Sequence, residues 1–442
     1  MSSAVPDEPC ARGQELDEVL AQIRPDIARL LEGVLDGQTL SSEGGLRLAM
    51  THGSELYALA LTADEIRRRQ VGEVVTYVVN RNINFTNVCI KRCTFCAFSR
   101  EFRQEDGYFL SLEEIARRTQ EAWELGATEV CVQAGLPPGL DSRFYIELCR
   151  VIRRAVPRIH IHAFSPEEIL YGSRQSGIPV PQFLLALKEA GLDTLPGTSA
   201  EILDDEIRNM ISRGRISTSQ WIDVVTAAHA LGIPTSATMM YGHVEQPIHW
   251  IRHMALLRDI QNATGGFTEF VPLSLVYREA PIYRDRLVRG IRQGATGGEV
   301  VKVHALARLM LGATFNNIQS SWVKEGPTLA QYLLTAGAND LGGTLINESI
   351  SASAGAPYGE FMRPGALRRL IRGLGRVPAQ RSTTYRLLRV CDGPDDNTDP
   401  LDSVDDPEAR FSSYRRLIAL PAFRHQKGHC ERPKGARQSQ RS

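Results

Sequence analysis

Apolar residues change their spacing along the chain near residue 72. Over 14–70, Leu, Ile and Ala recur at helical intervals among charged residues, as in ELDEVLAQIRPDIARLLEGVL and ELYALALTADEIRRRQ. From there to about residue 385, β-type runs alternate with amphipathic helical stretches, a pattern typical of βαβ units and a parallel sheet. We therefore predict an N-terminal helical extension over 1–71, an α/β domain over 72–385 and a C-terminal extension over 386–442.

Eight β-type runs are predicted in the α/β domain. They cover 82–88, 128–134, 158–164, 193–197, 234–241, 267–273, 314–320 and 338–344. Eight parallel strands close a (βα)8 TIM-type barrel of about 250 residues, which the chain is long enough to form. An open doubly wound sheet fits the same alternation, but no GxGxxG motif follows the first run, and this favours the barrel.

The regular pattern fades after residue 385. An acidic stretch, CDGPDDNTDPLDSVDDPEARF, is followed by a basic one, FRHQKGHCERPKGARQSQRS. We expect both to lie outside the barrel as an irregular, partly disordered C-terminal tail, with the last 20 residues mobile and their charges solvated.

Charge and hydropathy narrow the class of ligand. The chain carries 51 basic and 51 acidic residues, so it has no surplus of cations for nucleic acid or a membrane surface. It has no apolar run of about 18 residues and no secretory signal. These features predict a cytoplasmic protein that acts on small molecules.

Three of the eight cysteines fall within the segment NRNINFTNVCIKRCTFCAFSR, at Cys89, Cys93 and Cys96. Structural zinc prefers four ligands, and no second cysteine pair is near. A CxxC disulfide oxidoreductase would leave Cys89 unexplained. A [4Fe-4S] cluster takes four thiolates, so three would leave one iron open for another ligand. A non-catalytic zinc-binding scaffold is the alternative from a different class.

The Cys-x3-Cys-x2-Cys motif, with Phe95 before its third cysteine and a predicted first strand before the loop, resembles the radical SAM superfamily. The resemblance implies two cofactors, a [4Fe-4S] cluster and S-adenosyl-L-methionine (SAM), and an external electron donor. In that chemistry, SAM binds the open iron, and an electron from the reduced cluster cleaves its C5′–S bond to give methionine and a 5′-deoxyadenosyl radical.

Further segments are similar to the CofH family. HAFSPEE, PGTSAEILDDE, TMMYGH and GANDLGGT carry this resemblance, which runs from about residue 55 to 385. It implies a transferase of deazaflavin FO biosynthesis that cleaves L-tyrosine and transfers its 4-hydroxybenzyl group to 5-amino-6-(D-ribitylamino)uracil. Only one Cys-x3-Cys-x2-Cys motif is present, so a CofG-type radical SAM enzyme is implied as a functional partner. The alternatives are a menaquinone (futalosine) pathway enzyme and a tyrosine lyase.

The resemblance also implies which residues contact the cofactor. They are Phe95, Gln133, Gly135, Ser199 and Glu201. Core filling by Phe95, ordinary turn roles for Gln133 and Gly135, and helix capping by Ser199 are the alternatives. The family generally has Gln-Gly-Gly where this chain has Gln-Ala-Gly, so the methyl group of Ala134 requires a backbone conformation that is not restricted to glycine.

Candidate substrate contacts follow from strand geometry and position. His160 and His162 lie on one face of a strand, which predicts that both point into the barrel. Tyr241, His243 and Glu245 follow the fifth run, and His243 and Glu245 are candidates for acid–base catalysis. Asn317 and Gln319 share a face of the seventh run and could bind the uracil. Structural roles, such as a satisfied histidine pair, helix capping or a polar barrel layer, are the alternatives for all of them.

Overall fold

The computed structural model describes residues 9–101, 104–393 and 399–425, with side chains from residue 13 onward. The N-terminal extension is helical, as predicted. Its helices are α1 (Pro9–Gln22), α2 (Pro25–Leu35), α3 (Ser42–Ala49) and α4 (Ser54–Val71). Helix α2 buries Ile27, Leu31 and Val34 along one face. Through α4, this extension packs on the outside of the barrel.

Eight parallel walls close a barrel, which confirms the predicted (βα)8 fold class. The strands are β1 (Val74–Val78), β2 (Asn80–Ile83), β3 (Glu129–Val132), β4 (His160–Ala163), β5 (Thr235–Tyr241), β6 (Phe267–Ser274), β7 (Asp340–Gly343), β8 (Val377–Arg381) and β9 (Leu387–Val390). Strands β1 and β2 form the first wall, in which β1 pairs with β7 and β2 pairs with β3. Strands β3 and β4 pair in parallel, as do β5 and β6.

Single bridges complete the ring. The fourth wall, at Thr194 and Leu195, is bridged to β4 and β5, and the seventh, at Ile318 and Gln319, is bridged to β6 and β7. These two walls were predicted as full strands, over 193–197 and 314–320. The structure reduces them to two bridged residues each.

The first wall begins earlier than predicted. It runs from Val74 to Ile83, whereas the sequence pattern placed it over 82–88. Residues 84–88 leave the barrel instead, where Thr86 is bridged to Phe109 and Val88 to Arg100. The run VVTYV is not among the eight predicted strands, although it pairs with both β7 and β8.

Helices between the walls cover the barrel. They are α5 (Leu112–Glu124), α6 (Ser142–Ala155), α7 (Pro166–Ser176), α8 (Val180–Glu189), α9 (Asp205–Ile211), α10 (Thr218–Ala230), α11 (Pro247–Thr264), α12 (Pro281–Arg284), α13 (Gly297–Leu311), α14 (Trp322–Glu325), α15 (Pro327–Leu333), α16 (Ser349–Ser353) and α17 (Pro364–Arg372). None of the helices in the described part of the chain is long and apolar enough to cross a membrane.

The C-terminal region contacts the rest of the protein at two places. Strands β8 and β9 form an antiparallel hairpin, and β8 joins the sheet beside β1. Beyond it lie helices α18 (Pro407–Phe411) and α19 (Tyr414–Ala419). The Phe109 amide donates to the Phe423 carbonyl over 2.8 Å. Residues 426–442, most of the predicted mobile tail, lie outside the described residues, and the predicted domain boundaries stay predictions.

Candidate active site

The loop after β2 carries the three clustered cysteines, and polar side chains hold it in place. The Thr86 hydroxyl donates to the Tyr108 carbonyl over 2.6 Å. The amide side chain of Asn87 donates to the Asp106 carbonyl over 2.9 Å and accepts from the Tyr108 amide over 2.9 Å. The Cys89 amide then donates to the Arg100 carbonyl over 3.0 Å. This brings the two ends of the loop together, with the thiols between them.

All three thiols line one cavity of about 260 Å³. Cys93 is buried, and Cys89 and Cys96 are half-buried. Burial, with smaller contributions from the other two thiols, raises the pKa of Cys93 to about 12. Among the described residues, no set of three or more His, Cys, Asp or Glu side chains surrounds a single metal-ion position. A cubane cluster binds each cysteine through a different iron, and three soft sulfur donors on one cavity wall fit such a cluster.

The loop after β3 supports the cysteine loop through a close backbone contact. The Gly135 amide donates to the Thr86 carbonyl over 2.9 Å. A Cβ at position 135 would lie 2.3 Å from the Val88 carbonyl oxygen, so only glycine fits there. Ala134 is not among the residues with positive φ. Its methyl group is therefore tolerated, and the glycine requirement falls on position 135 alone.

Gln133 and Glu168 form the polar side of this cavity. The Gln133 side-chain oxygen accepts from the Thr198 hydroxyl over 2.7 Å. Glu168 accepts from the amide and hydroxyl of Ser165, at 2.8 and 2.7 Å, as part of the capping box of α7. It also accepts from the Ala134 amide over 3.2 Å. Burial raises the pKa of Glu168 to about 7.

Arg215, which the sequence analysis missed, organises the predicted SAM-binding residues. Its guanidinium donates to the Ser199 hydroxyl over 2.6 Å and to Glu201 over 2.7 Å. It also contacts Glu167 at 3.3 Å and lies 6.0 Å from the centroid of the Phe95 ring. No motif singles out Arg215 in the segment ISRGRIS, because only the tertiary structure brings it to this wall.

Ser199 and Glu201 both have positive φ, at 65° and 39°. Such values are uncommon for residues other than glycine and recur at binding sites. The next helix, α9, begins at Asp205 and is capped by Asp204. The alternative role of Ser199 as a helix cap is therefore not observed.

A second, polar cavity of about 230 Å³ occupies the barrel interior. We call it the barrel chamber, and the cavity beside the thiols the cluster cavity. Asn80 and Asn82 line the barrel chamber from one face of the first wall, and Asn84, directly after this wall, lines it too. The two cavities adjoin, because they share six lining residues: Gln133, Thr198, Thr238, Leu273, Lys324 and Ile350.

The β8–β9 hairpin supplies further chamber residues that the sequence analysis missed. Arg381 pairs with Asp340 at 3.1 Å and lies 4.0 Å over the ring of Tyr385. The Tyr385 hydroxyl donates to Glu269. The Thr383 hydroxyl donates to Glu129 over 2.7 Å. The hairpin thus provides donors for two acidic residues of the chamber, Glu129 and Glu269.

Two of the predicted substrate contacts, His162 and Gln319, line the barrel chamber. Burial lowers the pKa of His162 to about 4, so its imidazole is neutral at pH 7. His160 and His162 both contact the Thr194 hydroxyl, at 2.8 and 2.7 Å. His160 and Asn317 do not line either cavity. Asn317 donates instead to the Thr268 carbonyl over 2.9 Å.

Tyr241, His243 and Glu245 also lie outside the two cavities. Glu245 accepts from the backbone amides of Gly242 and His243, at 2.7 and 2.8 Å. The His243 ring contacts the Met240 carbonyl at 3.0 Å. The structure thus provides protein partners for both candidate catalytic groups, whose role in catalysis stays a prediction.

The barrel and its cysteine loop define a radical SAM protein. The sequence matches the Radical SAM superfamily over residues 83–257 and the CofH/MqnC C-terminal region over residues 264–393. The FeFe-hydrogenase maturase HydG from Carboxydothermus hydrogenoformans has a similar fold, with a TM-score of 0.64 and 17% identity. That similarity covers 85% of this chain and 84% of HydG.

Two curated relatives identify the family within the radical SAM superfamily. The 5-amino-6-(D-ribitylamino)uracil--L-tyrosine 4-hydroxyphenyl transferase of Methanothermobacter thermautotrophicus is 46% identical over 82% of this chain and 98% of its own length. This chain therefore belongs to the CofH family. The FO synthase of Mycobacterium leprae is 48% identical over 82% of this chain, but the match spans only 42% of the length of that synthase.

Proposed function

We propose that the protein transfers the 4-hydroxybenzyl group of L-tyrosine to C5 of 5-amino-6-(D-ribitylamino)uracil. The other products are 2-iminoacetate, methionine and 5′-deoxyadenosine. The observation that carries the proposal is the junction of the thiol-lined cluster cavity with the polar barrel chamber. The match to the transferase of Methanothermobacter thermautotrophicus, which spans 98% of that protein, supports it.

The residues of the cluster cavity fit the two cofactors. Cys89, Cys93 and Cys96 would hold the [4Fe-4S] cluster, and the side of the cavity with Gln133, Gly135, Ser199, Glu201 and Phe95 would hold SAM. When bound, the cluster and SAM would supply the one-electron chemistry that removes a hydrogen atom from the tyrosine amine. The electron comes from an external donor.

The barrel chamber suits a ligand rich in hydrogen-bond donors. The side-chain oxygens of Asn82 and Asn84 are buried, and neither has a hydrogen-bond partner in the described part of the chain. A buried acceptor without a partner costs free energy, which a ligand N–H or O–H would recover. The diaminouracil and its ribityl chain carry such donors, and neutral His162 can add a further hydrogen bond.

The barrel walls also limit side reactions. Cleavage of the tyrosine Cα–Cβ bond releases a reactive 4-hydroxybenzyl fragment, which a closed cavity must retain until it reaches C5 of the uracil. The adjoining cavities allow both substrates to bind before SAM is cleaved. We propose that a CofG-type radical SAM activity then closes the ring to FO, since the match to this chain accounts for only about two fifths of the FO synthase.

An anaerobic assay tests the function. The protein, reconstituted with iron and sulfide, is incubated with tyrosine, the diaminouracil, SAM and dithionite, and the products are analysed by mass spectrometry. A benzylated ribityl-uracil supports the proposal. Release of 4-cresol would indicate a tyrosine lyase, and a futalosine adduct would indicate a menaquinone-pathway enzyme. Reconstituted protein without the broad absorption of an iron–sulfur cluster at about 400 nm would favour the zinc scaffold.

A further inference from the structure

Lys324 lies where the two cavities meet. It lines both the cluster cavity and the barrel chamber. It belongs to the short helix α14, which is held by the buried Trp322. The indole N–H of Trp322 donates to the Gly343 carbonyl over 2.9 Å. The backbone that carries Lys324 is therefore fixed against the barrel wall.

The ammonium group of Lys324 differs from the other cations of the two cavities. Lys91 pairs with Glu167 at 3.0 Å, Arg215 with Glu201 at 2.7 Å, and Arg381 with Asp340 at 3.1 Å. Within the described ranges, Lys324 has neither a carboxylate at ion-pair distance nor a side-chain hydrogen bond. Lys324 is half-buried, and a cation without an ion-pair partner at such a site would be stabilised by an anionic ligand.

The chemistry of the substrates indicates which anion this is. The diaminouracil and its ribityl chain carry no carboxylate. The carboxylate of SAM would lie beside the thiols, in the cluster cavity that Arg215 and its partners also line. The α-carboxylate of the amino-acid substrate is the remaining anion. Held where the cavities meet, it would direct the amine towards the cluster cavity and the side chain into the barrel chamber.

We propose that Lys324 binds the α-carboxylate of the amino-acid substrate and so positions its amine for hydrogen abstraction. The identity of that amino acid as tyrosine rests on the proposed function. The carboxylate site itself rests on the position of the unpaired cation at the junction of the cavities.

Binding to the anaerobic holoenzyme, with SAM but without reductant, tests the proposal before any turnover. L-tyrosine is compared with tyramine, which lacks only the carboxylate, by calorimetric titration of the wild type, Lys324→Met and Lys324→Arg. Loss of a charge-assisted hydrogen bond should weaken tyrosine binding to Lys324→Met by about 10- to 100-fold and leave tyramine binding unchanged. Lys324→Arg should restore part of the preference for tyrosine over tyramine. Equal losses for both ligands, or no loss for tyrosine, would overturn the proposal.

Two controls separate this site from structure and from the cofactor. Lys188→Met removes an exposed lysine of α8 and should leave all affinities unchanged. Lys324→Met should keep its cluster absorbance, its melting temperature and the effect of SAM on the electron paramagnetic resonance signal of the reduced cluster. A selective loss of that SAM effect would assign Lys324 to the cofactor instead and would overturn the proposal.

A panel of amino acids and their amines distinguishes this proposal from the proposed function. Phenylalanine with phenethylamine and tryptophan with tryptamine are titrated in the same way. If only phenylalanine or tryptophan binds more tightly than its amine in a way that depends on Lys324, the carboxylate site is supported and tyrosine is not the substrate. If no pair shows such a preference, the Lys324 proposal falls, and the product assay still decides the proposed function.

Discussion

The cluster cavity and the barrel chamber adjoin, but they are built in different ways. The three thiols of the cluster cavity come from a single loop and lie within eight positions of the chain. The barrel chamber takes residues from seven of the eight walls, from the segment directly after the fourth wall and from the β8–β9 hairpin. The first cavity can therefore be recognised from local spacing, whereas the second exists only when the ring has closed.

The two cavities also differ in how their charged groups are paired. In the cluster cavity, one guanidinium, that of Arg215, joins Glu167, Glu201 and Ser199. Around the barrel chamber, two hairpin residues divide the acidic groups between them, since Arg381 contacts Asp340 and Glu269, and Thr383 donates to Glu129. Damage to the first should affect cofactor binding, and damage to the second should affect stability as well as substrate binding.

Loss of a clustered thiol should have the largest effect. Cys93→Ala removes one of the three sulfurs that would hold the cluster, so we expect no product and no stable absorption at about 400 nm after reconstitution. Cys391→Ala, which removes a half-buried thiol outside both cavities, should retain both properties. Full activity of Cys93→Ala would contradict the assignment of the cluster to this loop.

Loss of the Arg381 guanidinium, the cation of the β8–β9 hairpin, should have the second-largest effect. Arg381→Met leaves the buried Asp340 without its cation and removes the positive charge 3.5 Å from Glu269. Uncompensated buried charge should lower the free energy of unfolding by about 3–5 kcal/mol, measured by urea denaturation. In the matched variant Arg284→Met, which breaks an exposed pair with Asp285, the free energy of unfolding should stay close to the wild-type value. Equal losses would show that the hairpin does not stabilise the chamber.

The contact of the C-terminal helices with the cysteine loop should matter less. The ring of Tyr414, which is buried, packs 5.6 Å from that of Phe98, two residues after Cys96. We expect Tyr414→Ala to cost about 1–3 kcal/mol and to speed the loss of iron to a chelator, followed by absorbance. Tyr358→Ala, at an exposed position, is the control. An unchanged rate of iron loss would show that this contact does not protect the cluster.

The smallest expected effect is a pH dependence at the same contact. Glu360 accepts from the Tyr414 amide at 3.0 Å, and burial raises its pKa to about 7. Because the folded pKa lies above the ordinary value of 4.5, this carboxyl stabilises the fold at low pH. That stabilisation is lost as the pH rises from about 4.5 through 7.

Glu360→Gln should remove this dependence, since the amide keeps an acceptor for the Tyr414 N–H and carries no charge. We expect the variant to gain stability relative to the wild type between pH 5 and pH 8, by less than about 1 kcal/mol because Glu360 is half-buried. Thermal unfolding across this range checks the sign. A gain towards low pH instead would contradict the raised pKa.

Much of the fold could be predicted from the alternation of β-type runs and helices, because each unit buries one face of its own sequence. The errors occurred where pairing is set by distant segments. The run VVTYV pairs with β7 and β8, both more than 250 residues away, so no local pattern shows that it begins the first wall. Strand β8, VPAQR, contains a proline and lies outside the eightfold repeat.

The candidate site also contains residues that could be predicted from the sequence and residues that could not. Gln133, Ser199 and Glu201 line the cluster cavity, where the family resemblance placed them. Tyr241, His243 and Glu245 follow a strand at the expected rim, yet local hydrogen bonds and packing place them outside both cavities. Position after a strand predicts the end of the barrel but not the direction of the side chain.

The three-thiol loop, the eightfold βα pattern and the family could all be recognised from the amino-acid sequence, because these depend on residues close together in the chain. The folded barrel was needed to show that Arg215 faces Phe95, that Arg381 and Thr383 line the chamber, and that Lys324 lies between the cavities without an ion-pair partner in the described residues. Closure of the barrel brings these side chains together from distant segments, and burial in the closed barrel makes their charges depend on one another.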